Sequence, residues 1–376
     1  MTIYESSEAV ARGHPDKVAD FISDSVLDSC LQEDPMSRVA VETLVSHRTI
    51  SIGGEITTRA HLNFEQIVRD AISEVGYVSP TFGDLLSSFQ LVSSICEQSP
   101  DISQSVGKGH ELAAGDQGMM YGYACDDTTT FMPRSYEMAR GILQAIQTKR
   151  SSHPFLGPDG KVQVSINPER KNHFSGSVVV SWQHSASASL TDVQEVLHSC
   201  VEEVGERFKF KPDLLLLNPS GRFVLGGPFA DTGLTGRKQI VDSYGGSVLH
   251  GGGAYSGKDA TKVDRSGAYM ARWVAKHVVA SGAAKRCQVQ LIFSIGKKDP
   301  IHVGIDCFHT EKTPLEKIEK AILATFDFSV EGIIRDLDLR QPIFKKTSSM
   351  GHFGREGFTW ESLSRLDSLR SSFEKN

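Results

Sequence analysis

No stretch of the 376-residue chain approaches the length of a membrane-spanning helix, and no basic segment followed by an apolar one opens it. Paired cysteines are missing too. The six cysteines, at 30, 96, 125, 200, 287 and 307, are scattered, with no C-x-x-C pair and no Cys/His metal spacing. They read as reduced thiols in a reducing compartment. There is no excess of positive charge either. Lys and Arg number 40 against 46 Asp and Glu, a formal net charge of -6, so nothing in bulk points to nucleic acid. The apolar fraction of 39% and charged fraction of 23% are those of a globular protein. The expectation is a cytoplasmic protein with no nucleic-acid or membrane partner, long enough for more than one domain. Any polyanion site must be a local basic cluster within an acidic chain.

Glycine is plentiful, 34 residues in all, and its densest run is Leu249-His250-Gly251-Gly252-Gly253-Ala254-Tyr255-Ser256-Gly257-Lys258-Asp259. Glycine lets backbone amides approach an anion, and a helix N-terminus adds partial positive charge. Gly252 to Gly257-Lys258 fits part of a phosphate loop, but Asp259 stands where a Ser or Thr would meet magnesium. By itself the run reads equally as a phosphate cradle or as a glycine-rich turn.

Residues 1–12 read as a short strand or arm. Pro15 opens a helix with apolar spacing at Val18, Phe21, Ile22, Val26 and Cys30. Asp16, Asp20, Asp24 and Asp28 recur every four residues and form an acidic stripe. Asp28 is expected on a solvated face. Asp16, at the helix start beside His14, is expected to be functional. Residues 38–60 alternate as two strands, the second interrupted at Gly53-Gly54 by a bulge or a close approach. Residues 97–114 read as an irregular lid loop. Pro158-Asp159-Gly160-Lys161 reads as a type I turn.

Helix, strand pair, helix recurs three times at intervals of roughly 120–127 residues, about the size of a domain. The expected fold is α+β. It has three repeats related by a pseudo-threefold axis, each with helices packed on a mainly antiparallel sheet. The units are taken as 1–112, 113–230 and 231–376. The loops between the elements carry His14, Lys17, Lys161, Arg222, Arg237, Lys238, Lys258 and Lys262 with Asp16, Glu55, Asp116, Asp231 and Asp264. Cations beside fixed glycines suit a polyphosphate. Carboxylates among them suit magnesium, which takes one or two carboxylates plus phosphate and water. Without that metal, such mixed charges are ordinary solvated surface.

Seven motifs stand in order. They are Gly13-His14-Pro15-Asp16-Lys17, Gly53-Gly54-Glu55-Ile56-Thr57-Thr58, Gln98-Ser99-Pro100-Asp101-Ile102, Gly115-Asp116-Gln117-Gly118, Asp231-Thr232-Gly233-Leu234-Thr235-Gly236-Arg237-Lys238, Gly251 to Asp259, and Gly351-His352-Phe353-Gly354-Arg355. Together, over about residues 3–360, they resemble the S-adenosylmethionine synthetase (methionine adenosyltransferase) family. The resemblance implies a transferase that joins ATP and L-methionine, with sulfur attacking C5′ in line. The triphosphate leaves whole and is hydrolysed to pyrophosphate and phosphate. It implies two Mg²⁺ and one K⁺ per site, and a homodimer or homotetramer with active sites between subunits.

By the same resemblance, His14 is the donor to O5′, and Lys161, Arg237, Lys238, Lys258 and Lys262 cradle the polyphosphate. Asp16 and Asp264 are Mg²⁺ ligands and Glu42 is the K⁺ ligand. Glu55, Gln98, Asp116, Asp159, Arg222, Phe223, Asp231 and Ala254 bind substrate. Three positions depart from the family pattern: Ala113 for a glycine, Tyr255 for the commoner Phe, and Gly157 for an Arg, which removes one cation. Two rivals remain, a phosphotransferase or NTPase using Gly252–Lys258, and an inactive regulatory relative.

Overall fold

The structure, a computed structural model, describes residues 3–97, 112–167 and 175–375. Gln98, most of the 97–114 loop and most of the Asn167–Asn172 turn lie outside the described residues.

β1 (Glu5–Val10) leads into α1 (Pro15–Glu33). Pro15 occupies the first helical position, where a missing N–H costs nothing, and His14 Nδ1 caps the helix by accepting from the Asp16 amide at 3.2 Å. β2 (Arg38–Ser46) and β3 (Thr49–Thr57) form a hairpin, followed by α2 (Phe64–Val75). The short β4 (Val78–Ser79) and β5 (Gly83–Asp84) precede β6 (Gln90–Cys96). Next come β7 (Gly118–Cys125), α3 (Arg134–Lys149), β8 (Leu156–Ile166), β9 (Gly176–His184), α4 (Leu190–Phe208) and β10 (Leu214–Leu217). β11 (Gly233–Leu234), α5 (Gln239–Asp242), α6 (Val263–Ala280), β12 (Arg286–Phe293), β13 (His302–Asp306), α7 (Leu315–Thr325), α8 (Val330–Asp336) and α9 (Leu366–Lys375) follow.

The larger sheets run β1-β8-β9-β10, β11-β2-β3-β6 and β13-β12-β7. They are mainly antiparallel; β9–β10 and β3–β6 are parallel. Each draws one strand from elsewhere in the chain. β1 joins the sheet of the middle stretch, β11 joins β2, and β7 pairs with β12. Residues 1–112, 113–230 and 231–376 therefore do not each close a sheet of their own. One core cluster gathers Ala9 and Ala11 with α3, β8, β9 and α4; the larger gathers α1, β2, β3, β7, α6 and β12.

Alternation sets the faces. In β2, Val39, Val41, Thr43 and Val45 are buried on the helix side, while Arg38, Ala40, Glu42, Leu44 and Ser46 face the other way and stay partly open. Two local expectations change. Gly53-Gly54 does not interrupt β3, whose pairing with β2 is continuous. Gly54, at φ +133°, lies so close to the Ala40 carbonyl that a Cβ would collide with it, so close approach is the reason for glycine. Pro158–Lys161 is not a type I turn but part of β8, with an irregular register between Leu156 and Gly160.

Candidate active site

The aspartate stripe of α1 is mostly buried: Asp16, Asp20 and Asp24 are 2%, 0% and 0% exposed. Each accepts from a backbone amide that no strand ladder satisfies. Asp16 takes Leu234 N at 3.0 Å, Asp20 takes Gly236 N at 2.8 Å and Asp24 takes Gly257 N at 2.8 Å. Asp28 takes Phe344 N and Lys345 N at 2.9 and 2.8 Å. The expected solvated role for Asp28 is therefore wrong, because one helix face holds three separate loops. Lys17 is not an available cation. It is 1% exposed and bonded to Asp20 at 2.9 Å and Asp242 at 2.5 Å.

The first cluster forms where this stripe begins. Lys238 Nζ lies 2.5 Å from Asp16 Oδ2, and Arg237 lies 3.5 Å from Oδ1. Lys161, on β8, reaches Glu8 on β1 at 3.4 Å. Lys161, Arg237 and Lys238 line one cleft of ≈ 430 Å³. Burial, reinforced by Lys238, lowers the His14 pKa to about 4, so the ring is neutral at pH 7. Because Nδ1 accepts from the Asp16 amide, the proton sits on Nε2, which is left as a donor. Burial opposes ionisation of Asp16, but the Lys238 ammonium and the Leu234 amide outweigh it and hold the pKa below its ordinary value.

A second cluster lies along the same strand. The glycine-rich loop pairs with β2 through Val41 N to Gly257 O and Asp259 N to Val39 O, both at 3.0 Å. β11 pairs with Leu44 and Val45 further along β2. Gly236 and Ala254 touch so closely that a Cβ on Gly236 would strike Ala254. Lys258 lies 2.6 Å from Asp264, and Lys262 lies 2.6 Å from Asp259. Asp259 is 2% exposed and also accepts from Val39 N at 2.6 Å and Thr261 N at 2.8 Å. Its mismatch to a phosphate loop thus has a structural cause: it ties the loop to β2. Among the described residues, no hydrogen bond or ion pair joins the Lys258–Asp264 pair to the His14–Asp16–Lys238 group.

The remaining residues divide by place. Glu42 and Glu55 lie on the open face of the β2–β3 hairpin, Glu42 exposed and Glu55 half-buried. Asp116 is exposed just before β7. Asp231 is exposed and turns its own loop by accepting from Thr232 N at 2.8 Å. Arg222 is exposed, and Phe223 is half-buried with its amide on His184 Nε2 at 3.1 Å. Asp159 is buried and bonded to Gly227 N at 2.8 Å; burial pushes its pKa up to about 6. In this arrangement it anchors the 226–229 loop. Gly157 abuts the Gln183 amide, which a Cβ would strike, so packing demands glycine there.

Sequence reasoning missed Asp20 and Asp24 as loop anchors, and with them Arg265, paired with Asp24 at 2.8 Å. The signal was present in the four-residue spacing of the aspartates and the glycine-rich loops whose amides needed acceptors.

Three family models match in sequence order. The S-adenosylmethionine synthetase N-terminal domain matches residues 2–100, the central domain 111–223 and the C-terminal domain 225–362. The chain is 49% identical to S-adenosylmethionine synthase 1 of Rhodospirillum rubrum, over 97% of each chain. It is 45% identical to the S-adenosylmethionine synthase of Treponema denticola over 99% of this chain and 98% of the other. It is 47% identical to that of Salinispora tropica over 97% and 98%. With the glycine-rich loop, the His14–Asp16 helix start and matches along almost its whole length, the chain belongs to the S-adenosylmethionine synthetase family.

Proposed function

We propose that the protein makes S-adenosylmethionine from ATP and L-methionine as a methionine adenosyltransferase and then hydrolyses the tripolyphosphate to pyrophosphate and phosphate. The observation that carries this reading is the cluster of His14, Asp16 and Lys238, in which Lys238 bonds Asp16 and lines one cleft with Lys161 and Arg237. Thioether sulfur is a neutral, modest nucleophile, so the barrier must fall through positioning and stabilisation of the leaving group. The S–C5′ bond forms as C5′–O5′ breaks, and negative charge grows on O5′. The Nε2–H of neutral His14 donates to that oxygen. Lys161, Arg237, Lys238, Lys258 and Lys262 balance the phosphates. Glu55, Asp116, Asp159, Asp231, Arg222, Phe223 and Ala254 shape the methionine and adenosine pocket, with Phe223 as the aromatic wall against adenine. Gln98 is assigned to the same pocket by family resemblance alone.

The donors fit magnesium held jointly with substrate. Among the described residues, no group of three or more His, Cys, Asp or Glu could cage an ion. Asp16 and Asp264 stand apart, each beside a lysine. That suits an ion completed by phosphate oxygens and water. Asp16 and Asp264 would each hold one Mg²⁺, which supplies charge neutralisation on the polyphosphate, and Glu42 would hold K⁺.

The two clusters, with no hydrogen bond or ion pair between them among the described residues, support active sites shared between subunits of a homodimer or homotetramer. Apolar side chains left on or near the open sheet faces (Val92 47%, Met119 47% and Leu234 36% exposed) support a subunit interface there. The recurring helix, strand pair, helix order supports three repeats about a pseudo-threefold axis. No helix among the described residues is long and apolar enough to cross a membrane. That fits a cytoplasmic enzyme.

The test is a product analysis with ATP, methionine, Mg²⁺ and K⁺. A sulfonium product with pyrophosphate and phosphate is expected. ADP alone would sink the reading in favour of a phosphotransferase, and no turnover would favour an inactive regulatory relative.

A further inference from the structure

The glycine-rich run is braced by two side chains outside the cation set. Gly252, at φ +90°, donates its amide to His250 Nδ1 at 2.9 Å. His250 Nε2 lies 3.2 Å from the Tyr255 hydroxyl. Tyr255 is 6% exposed, its ring set edge-on against His352 at 5.0 Å and near Phe353 at 6.2 Å. The Tyr255 carbonyl accepts from Lys258 N at 3.3 Å. A continuous chain thus runs from the Gly252 amide through the imidazole and the phenol to the Lys258 backbone.

An imidazole that accepts at Nδ1 and stays neutral must carry its proton on Nε2. The Tyr255 hydroxyl oxygen then accepts a hydrogen bond from that Nε2–H, which favours this tautomer. The bond from His250 to the amide two residues on is the one that Asn or Asp makes in an Asx turn. It sets the direction of the peptides at Gly251–Gly253, where a Cβ on Gly251 would strike the Met119 carbonyl and one on Gly253 the Asp264 carboxylate. The glycine turn therefore has little room to relax if its anchor is lost.

We infer that His250 and Tyr255 are positioning residues that fix the glycine turn, and through it Lys258, for the tripolyphosphate. This rests on the reading that the loop faces the triphosphate. Neither side chain touches the reacting atoms; the imidazole acts through the Gly252 amide and the phenol acts through the imidazole.

The test compares wild type, H250A, H250Q, H250N, Y255F, H250N/Y255F and K258A in the full-length enzyme. It reads Mg²⁺–tripolyphosphate binding by calorimetry, and KM for ATP separately from kcat. H250A and H250Q are expected to weaken binding and raise KM about tenfold, with a smaller fall in kcat. H250N should recover most of the loss, because its Oδ1 accepts from the same amide. Y255F should weaken binding in the wild-type background but not beside H250N, where no Nε2 remains to hold. Wild-type affinity in H250A, or rescue by H250Q as good as by H250N, overturns the inference. If K258A also binds tripolyphosphate normally, the failure lies in the site reading instead. One measurement does not depend on any variant folding: ¹⁵N shifts of His250 in the wild-type enzyme should show a bare Nδ1. A protonated Nδ1 overturns the inference.

Discussion

Lys238 and Lys258 each hold the carboxylate proposed for magnesium, Asp16 at 2.5 Å and Asp264 at 2.6 Å. On the proposed reading both pairs would open, the lysines turning to polyphosphate and the carboxylates to the metal. Lys258→Ala removes that cation while taking little from the fold, since its partly exposed pair is worth at most about 1 kcal/mol. The expected result is a kcat lower by about 10²–10³-fold with an unchanged melting transition; retained turnover would remove Lys258 from the cradle. A second residue-scale prediction concerns pH. Burial lowers His277 to about 4, and its ring is held by the Trp273 carbonyl at 2.8 Å and the Arg365 amide at 3.1 Å. Between that value and the ordinary 6.5, the unfolded chain binds a proton that the folded one does not. Stability therefore rises with pH through this window and is lost as pH falls from 6.5 to 4, by up to about 1.4 kcal/mol per pH unit. His277→Gln should flatten that acid limb in urea titrations, though it costs some stability at pH 7. Unchanged slopes would mean that His277 titrates normally. The family was legible because motifs such as those around His14 and Lys258 are short and contiguous. Lys17 was misread as available because burial by Asp20 and Asp242, the latter 225 residues away, leaves no trace in the motif itself.

At the scale of elements, α1 organises the molecule more than the glycine-rich loop does. A single helix face fixes the 231–238 loop, the 251–259 loop and the 344–345 turn, because an i+4 row of carboxylates presents acceptors about one helical turn apart. Asp24 is the most demanding member. It holds Gly257 and forms a fully buried pair with Arg265, whose stacking over Phe344 at 4.2 Å leaves it no route to solvent. Asp24→Asn leaves that guanidinium charged and unpaired, a loss of about 3–5 kcal/mol. Asp24→Asn combined with Arg265→Met should lose clearly less than the sum of the single changes, as measured by denaturant unfolding. Additive losses would show that the two side chains act independently. The helices and strand pairs themselves were readable from period alone, because apolar spacing records which face is buried. The type I turn assigned to Pro158–Lys161 failed because turn-forming residues also occur in irregular strands, and pairing with β9 decides between them.

Over the whole molecule, what periodicity could not carry is which sheet a strand joins. β1, β7 and β11 each pair with residues more than 150 positions away; local pattern shows that a strand exists but not its partner. The result is an interleaved chain in which the His14 and Lys258 clusters sit on loops tied to the same strand, β2, yet share no hydrogen bond or ion pair among the described residues. That geometry makes a quantitative prediction for the proposed shared site. An inactive His14→Ala chain and an inactive Lys258→Ala chain, unfolded, mixed in equal amounts and refolded together, should give half mixed dimers by random pairing. In each mixed dimer, one site receives both defects and the other receives none. About a quarter of wild-type activity should return, a consequence of two-fold symmetry in which each half-site is completed by the partner. If each chain instead builds its site alone, every site carries one defect in every pairing. Mixing then restores nothing, and this zero, with dimers confirmed by sedimentation, would place the His14 and Lys258 clusters in one subunit's site.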